Sequence, residues 1–235
     1  MLGRTHATSG AVAYLGAHAL LVHYGLISAG PVTVVAATLA AAGAAMLPDL
    51  DHKHATITQS LGPITRLLTR VVSKIAGGHR QLTHSLLGVV AFTALAWAIS
   101  QHFLPFALTI GLLFAIGLAA LRLNYRRLTP VHTVAVIAIT VGALWSGAQG
   151  TGPLALDTRT LPIAVAIGCL AHIIADMLTK EGCPLLYPLP RRLHILTLTT
   201  GGPIERRLIG PLLGTTAIVL TLWQVDLVHY LATLP

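Results

Sequence analysis

The sequence predicts an all-α membrane protein, a bundle of about seven spanning helices, and two observations carry that expectation. Of its 235 residues 54% are hydrophobic and only 9% charged, whereas a soluble domain carries about 25% charged residues. So little charge cannot cover a water-soluble globule. The apolar residues also gather into seven runs, roughly 11–28, 32–48, 85–101, 103–121, 131–147, 161–179 and 208–230. Each is close to the ~20 residues that a helix needs to cross the hydrocarbon layer. One bundle uses the whole chain, so 1–235 reads as a single domain.

The first run is interrupted by His18 and His23, follows a single fixed charge at Arg4, and continues through Gly30-Pro31 into the second. It reads as a retained helix rather than a cleaved leader. The second is alanine-rich from Ala36 to Ala45. Beyond it, Leu61, Ile64, Leu67, Leu68, Val71, Val72 and Ile75 recur at helical spacing, with Arg66, Arg70 and Lys74 on another face. This segment is either a basic amphipathic helix in the headgroup layer or a helix packed on the bundle, and the spacing suits both. The third and fourth runs are joined only by Gln101 and His102. Cys169 lies in an apolar run and Cys183 in a loop, so no structural disulfide is expected.

The formal charge of +8 could suggest nucleic acid, but the cations sit in short clusters between apolar runs. Segment 49–84 holds Lys53, Arg66, Arg70, Lys74 and Arg80; segment 122–128 holds Arg122, Arg126 and Arg127; segment 180–207 holds Lys180, Arg191, Arg192, Arg206 and Arg207. The opposite connections carry Arg159 alone. Because cytoplasmic loops hold the excess of lysine and arginine, the N-terminus is expected inside and the C-terminus outside.

Five elements could do chemistry. His172 and Asp176 stand four residues apart in an apolar run, one turn apart on one helical face, the spacing at which a helix offers two side chains to one metal ion. Ionisable groups inside a membrane are costly and mark function by default, although such a pair also suits a structural hydrogen bond. Asp49 and Asp51 are two of seven acidic residues, in Met-Leu-Pro-Asp-Leu-Asp-His-Lys-His. That run is a plain turn or a source of carboxylate ligands. His79 and His84, in Gly-Gly-His-Arg-Gln-Leu-Thr-His-Ser, need a turn that Gly77 and Gly78 permit. His6 and Glu205 are weaker taken alone. The charge pattern, applied without these residues, places all of them on the cytoplasmic side. His18, His23, His102, His132 and His229 lack acidic partners at ligand spacing and read as structural or interfacial.

At these positions the chain resembles the YdjM-type family of inner-membrane proteins classed as metal-dependent hydrolases. The resemblance rests on Thr5-His6, Pro48 to Asp51, His79 to Ser85, His172 to Asp176, Thr179, Gly182, the Leu-Leu-Tyr-Pro of 185–188, and Gly201, Gly202 and Glu205. The motif order also resembles the zinc-dependent phospholipase C and single-strand nuclease superfamily. Carried over by position, that likeness implies His6, Asp49 or Asp51, His84, His172 and Asp176 as ligands. A second His-X-X-X-Asp set is absent, so one or two ions, zinc or manganese, are expected rather than three.

The resulting expectation is an inner-membrane enzyme in which a metal-activated water cleaves a phosphate ester with a lipid tail. Asp49 or Asp51 would act as base if not a ligand, His79 or Arg80 would bind an anionic oxygen, and Glu205 joins them as a weaker catalytic candidate. The rivals are a metal-ion or proton transporter and a scaffold with a structural metal. A transporter needs polar groups along a path, whereas these candidates lie at one end.

Overall fold

The computed structural model describes residues 1–121, 129–152, 154–189 and 191–232, with 226–232 by backbone alone. Its helices are α1 (Gly3–His23), α2 (Pro31–Ala44), α3 (Pro63–Ile75), α4 (Leu86–Ser100), α5 (Phe103–Ala120), α6 (Pro130–Ala148), α7 (Thr160–Met177) and α8 (Gly210–Ala232). Short 3-10 turns lie at Pro48–Asp51, Ile57–Gln59 and Leu82–His84, and a π-helical turn, Glu205–Ile209, leads into α8. Proline opens α2, α3 and α6, where its fixed φ suits the first turn and its missing N–H is not needed. The Ser85 hydroxyl accepts from Gly88 N at 3.2 Å and caps α4.

Among the described residues five helical segments are long and apolar enough to cross a membrane: Pro31–Asp51, Phe103–Ala120, Pro130–Ala148, Thr160–Met177 and Glu205–Val225. α4 is equally apolar but has 15 residues, about 22 Å at 1.5 Å per residue. α1 departs from the expected 11–28. It begins at Gly3 because Thr5, His6 and Thr8 are buried inside the bundle. It ends at His23 because Gly25, at φ 64°, turns the chain and lets Leu26 N reach Leu21 O. The architecture is an all-α membrane bundle. Large apolar side chains project outward, among them Val90, Trp97, Ile139, Trp145, Ile218 and Trp223, a surface that only lipid or another apolar body can cover. The arginine-bearing segment 122–128 and the side chain of His229 lie outside the described residues.

α2 is the central helix, in contact with α1, α5, α7 and α8. Lipid tails are as apolar as leucine, so helices in a bilayer associate through close packing of small residues rather than hydrophobic exclusion. Here Ala37, Ala40, Ala41, Ala42, Ala44 and Ala45 are fully buried. A Cβ on Gly168 of α7 would stand 2.6 Å from the Ala41 carbonyl oxygen, one on Gly10 of α1 2.7 Å from the same atom, and one on Gly43 would strike the Leu113 carbonyl of α5. Both cysteines are buried and free.

α3 settles the two readings of its sequence. Thr65 and Thr69 face inward, where Thr65 Oγ1 donates to Thr58 O at 2.8 Å and the Thr69 and Thr58 hydroxyls meet at 2.9 Å. The apolar stripe of Ile64, Leu67, Leu68, Val71 and Ile75 points away from the bundle and is exposed.

Gly43→Leu is expected to cost roughly 1–3 kcal/mol by overpacking and to lower the thermal midpoint of the detergent-solubilised protein. Gly142→Ala, whose new Cβ meets nothing within 4 Å, should leave that midpoint unchanged.

Candidate metal centre

Helix alternation brings the candidate side chains to one end of the bundle. His6 lies in the first turn of α1, Asp49 and Asp51 in the turn after α2, and His79 to His84 in the loop before α4. His172 and Asp176 occupy the last turns of α7, and Glu205 the turn before α8. His6, His84, His172 and Asp176 are essentially without solvent exposure, while the Asp49 side chain is one-fifth exposed.

The protonation of two histidines follows from their neighbours. His172 Nδ1 lies 2.7 Å from the Ala45 carbonyl oxygen, which can only accept, so Nδ1 carries the proton and Nε2 presents a lone pair. The Thr83 hydroxyl donates to Asp51 Oδ2 at 2.5 Å and lies 3.0 Å from His84 Nδ1. Its oxygen therefore accepts from His84 Nδ1–H, and His84 Nε2 also presents a lone pair. These two Nε2 atoms stand 3.3 Å apart, an arrangement that requires a proton or a cation between them. Burial by itself would lower the pKa of His84, but the carboxylates of Asp49 and Asp51 push it up to about 9. A field that holds a proton there also favours a divalent ion.

The surrounding distances fit such an ion. His84 Nε2 is 3.5 Å from Asp49 Oδ1 and 3.9 Å from Asp176 Oδ2. His172 Nε2 is 3.8 Å from each of the same two oxygens. Four ligand atoms held tetrahedrally about 2.0–2.2 Å from zinc stand about 3.3–3.6 Å from one another, so small side-chain shifts would close the set. The donors also divide into two separate groups, His6 with His172 and Asp176, and Asp49 with His79 and His84, each within 4.8 Å. His6 stacks on His172 with ring centroids 3.7 Å apart, and its Nε2 is 3.2 Å from Asp176 Oδ1. The Met1 amine pairs with that same oxygen.

Asp49 and Asp51 separate into two roles. Asp51 is spent on positioning: Oδ1 meets His79 Nδ1 at 2.7 Å, and Oδ2 accepts from Arg80 N at 3.1 Å and from Thr83. Asp49 Oδ1 alone of the pair faces both Nε2 lone pairs. Arg80 adopts φ 58°, uncommon for a residue with a side chain. Its strain is held by Asp51 at its backbone, and its guanidinium contacts Asp176 Oδ2 at 2.9 Å and Glu181 Oε2 at 2.7 Å. The preceding turn uses Gly77 and Gly78, both at positive φ.

Glu205 stands outside the ligand set. Its two oxygens accept from Leu2 N and Gly201 N, each at 2.6 Å, so the carboxylate ties the start of α1 to the loop before α8 and is not free for proton transfer. Reading residues one by one missed the Ala45 carbonyl, the Thr83 hydroxyl and Glu181. Only Glu181 left a signal, as one of seven acidic residues placed five positions after Asp176.

The fold and this cluster define a polytopic membrane protein with, at one end, histidines and aspartates that could hold a metal ion. The chain belongs to the YdjM inner membrane protein family, whose description matches residues 1–123 and 118–233. The inner membrane protein YdjM of Escherichia coli (strain K12) is 28% identical over 188 residues, covering 79% of this chain and 63% of that protein. The YdjM protein of Shigella flexneri is similar to the same extent. The chain therefore matches somewhat under two-thirds of the length of these curated relatives. No solved structure matches.

Asp49→Ala should abolish metal retention by the purified protein, whereas Asp51→Asn should weaken it about 10–100-fold, the usual effect of losing an outer partner of a ligand. Metal titration monitored by calorimetry distinguishes the two. Equal losses would place Asp51 among the ligands.

Proposed function

We propose that the protein is a membrane-embedded, metal-dependent hydrolase acting on a phosphate ester from the cytoplasmic side. The carrying observation is the pair of facing Nε2 lone pairs, each within 3.9 Å of a carboxylate oxygen of Asp49 and of Asp176. His84, His172, Asp49 and Asp176 would hold an ion, and His6 with Asp176 offers donors to a second. Zinc suits the nitrogen and oxygen donors, and manganese is the alternative. A bound ion would supply Lewis acidity, lowering the pKa of an attacking water and stabilising charge on the phosphoryl group.

The remaining work falls to the chain. His79, with Nδ1 oriented by Asp51 and its side chain 37% exposed, has Nε2 available to take a proton from water or return one to the leaving oxygen. The Arg80 guanidinium, at the edge of the cluster, is placed to bind an anionic oxygen. Burial of His172 and His84 keeps bulk water from the ligand side. Sidedness rests on the basic segments 49–84 and 180–207, which flank the cluster at this end of the bundle.

A transporter reading has one observation in its favour. His18, twelve residues beyond His6 and so about 18 Å along α1, is buried with both ring nitrogens lacking hydrogen-bond partners among the described residues. A single such side chain does not make a path across the bilayer.

Purified protein is expected to retain one or two divalent ions by elemental analysis and to hydrolyse phosphodiester or phospholipid substrates. His172→Ala and Asp176→Ala should lose metal and activity together while still inserting. A metal-loaded protein that cleaves no ester would return the centre to a structural role, and ion uptake into proteoliposomes would favour transport. For sidedness, a cysteine at Gln149 should react with an impermeant thiol reagent outside intact cells once Cys169 and Cys183 are replaced. One at Ser73 should react only after the membrane is broken, and the reverse pattern would turn the centre outward.

A further inference from the structure

Beside the His79 wall of the centre, a shallow cleft of about 490 Å³ opens between α3 and the turn after α2. Its lining includes Lys53, Arg70 and Lys74, with Asp51 and His79 at the centre's edge. Asp51 is the carboxylate in this lining, and both its oxygens are engaged by His79, Arg80 and Thr83. The cleft therefore presents three cations with no free anion among its lining residues, and it leads to donors of the candidate centre.

The geometry of α3 says what occupies it. At 100° per residue, Thr65 and Thr69 face the protein, Ser73 follows, then the row Arg66, Arg70 and Lys74, and then the exposed stripe of Leu67, Val71, Ile64, Ile75 and Leu68. The cationic row thus lies between the cleft and an apolar face turned away from the bundle. A helix built this way rests with its apolar face in the acyl boundary and its cations at the depth of the lipid phosphates.

We infer that this cleft is a subsite for the headgroup phosphate of an anionic bilayer phospholipid, drawn from the bilayer in which α3 rests and held by Lys53, Arg70 and Lys74 beside His79. The inference deepens the hydrolase reading by naming the substrate class and rests on it for that word, but headgroup binding itself does not require catalysis.

The test uses the full chain in phosphatidylcholine nanodiscs with and without phosphatidylglycerol. Bound lipid is counted by native mass spectrometry, and hydrolysis of a water-soluble phosphodiester is followed in parallel. Lys53→Gln, Arg70→Gln and Lys74→Gln should each lower phosphatidylglycerol retention about fivefold, with metal content and thermal midpoint unchanged. Lys180→Gln with Arg191→Gln, which removes charge outside the cleft, should have little effect. Equal retention of phosphatidylcholine, an equal loss in the control, or undiminished phosphatidylglycerol binding in the cleft variants would overturn the subsite. Undiminished binding together with intact phosphodiester cleavage leaves the hydrolase standing without it. Selective loss of phosphatidylglycerol in a protein that cleaves nothing supports the subsite and removes the hydrolase.

Discussion

The close approach of α1, α5 and α7 to α2 is the constraint on which the rest of the molecule depends. Glycine and alanine at these contacts bring backbones near enough for dispersion to act over the length of the helices, the attraction that remains between helices in lipid. The same approach sets the chemistry. It places the Ala45 carbonyl 2.7 Å from His172 Nδ1, which fixes the tautomer and points Nε2 at His84. A larger residue at Gly168 would push α7 away from α2, since its Cβ would already stand 2.6 Å from Ala41 O. Packing in the apolar interior and ligand orientation at the polar end are thus one geometric condition.

Concentrating ionisable groups in an apolar bundle is expensive, and the arrangement shows how the cost is met. Three of the carboxylates at this end have two or more donors. Asp51 takes His79, Arg80 N and Thr83; Asp176 takes His6, Arg80 and the Met1 amine; Glu205 takes two backbone N–H groups. These partners come from elements far apart in sequence, so the polar end also fastens α1, α7 and the loops before α4 and α8 together. Left without an aligned hydrogen bond at this end are His6 Nδ1, Arg80 Nε and Asp176 Oδ2, the last of which sits near the Arg80 guanidinium. Buried polar groups are normally satisfied, so the facing ring nitrogens and the open Asp176 oxygen are where a bound ion would complete the bonding.

The surroundings of the centre differ on its two sides. Toward the bundle, His172 and His84 are sealed by packed side chains. Toward α3, His79 is partly exposed and lines a cationic cleft beside an outward-facing apolar helix.

The sequence by itself determined the membrane class, the all-α architecture, the gathering of His6, Asp49, Asp51, His84, His172 and Asp176 at one end, and the YdjM family membership. Each of these follows from composition, run length, charge placement or short motifs, which are local properties of the chain. Only the tertiary structure decided that Asp49 faces the lone pairs while Asp51 stands behind them, since two carboxylates in one short turn look alike until the neighbours of each oxygen are known. It also moved the start of α1 to Gly3, because the polar residues that ended the apolar run at Ala11 are buried against α7 and the loops. It turned the apolar face of α3 outward and removed Glu205 from the chemistry. The contacts that decide the Asp49 and Asp51 roles join residues tens to hundreds of positions apart, and those that orient α3 run to the turn before it; periodicity along the chain carries no information about either.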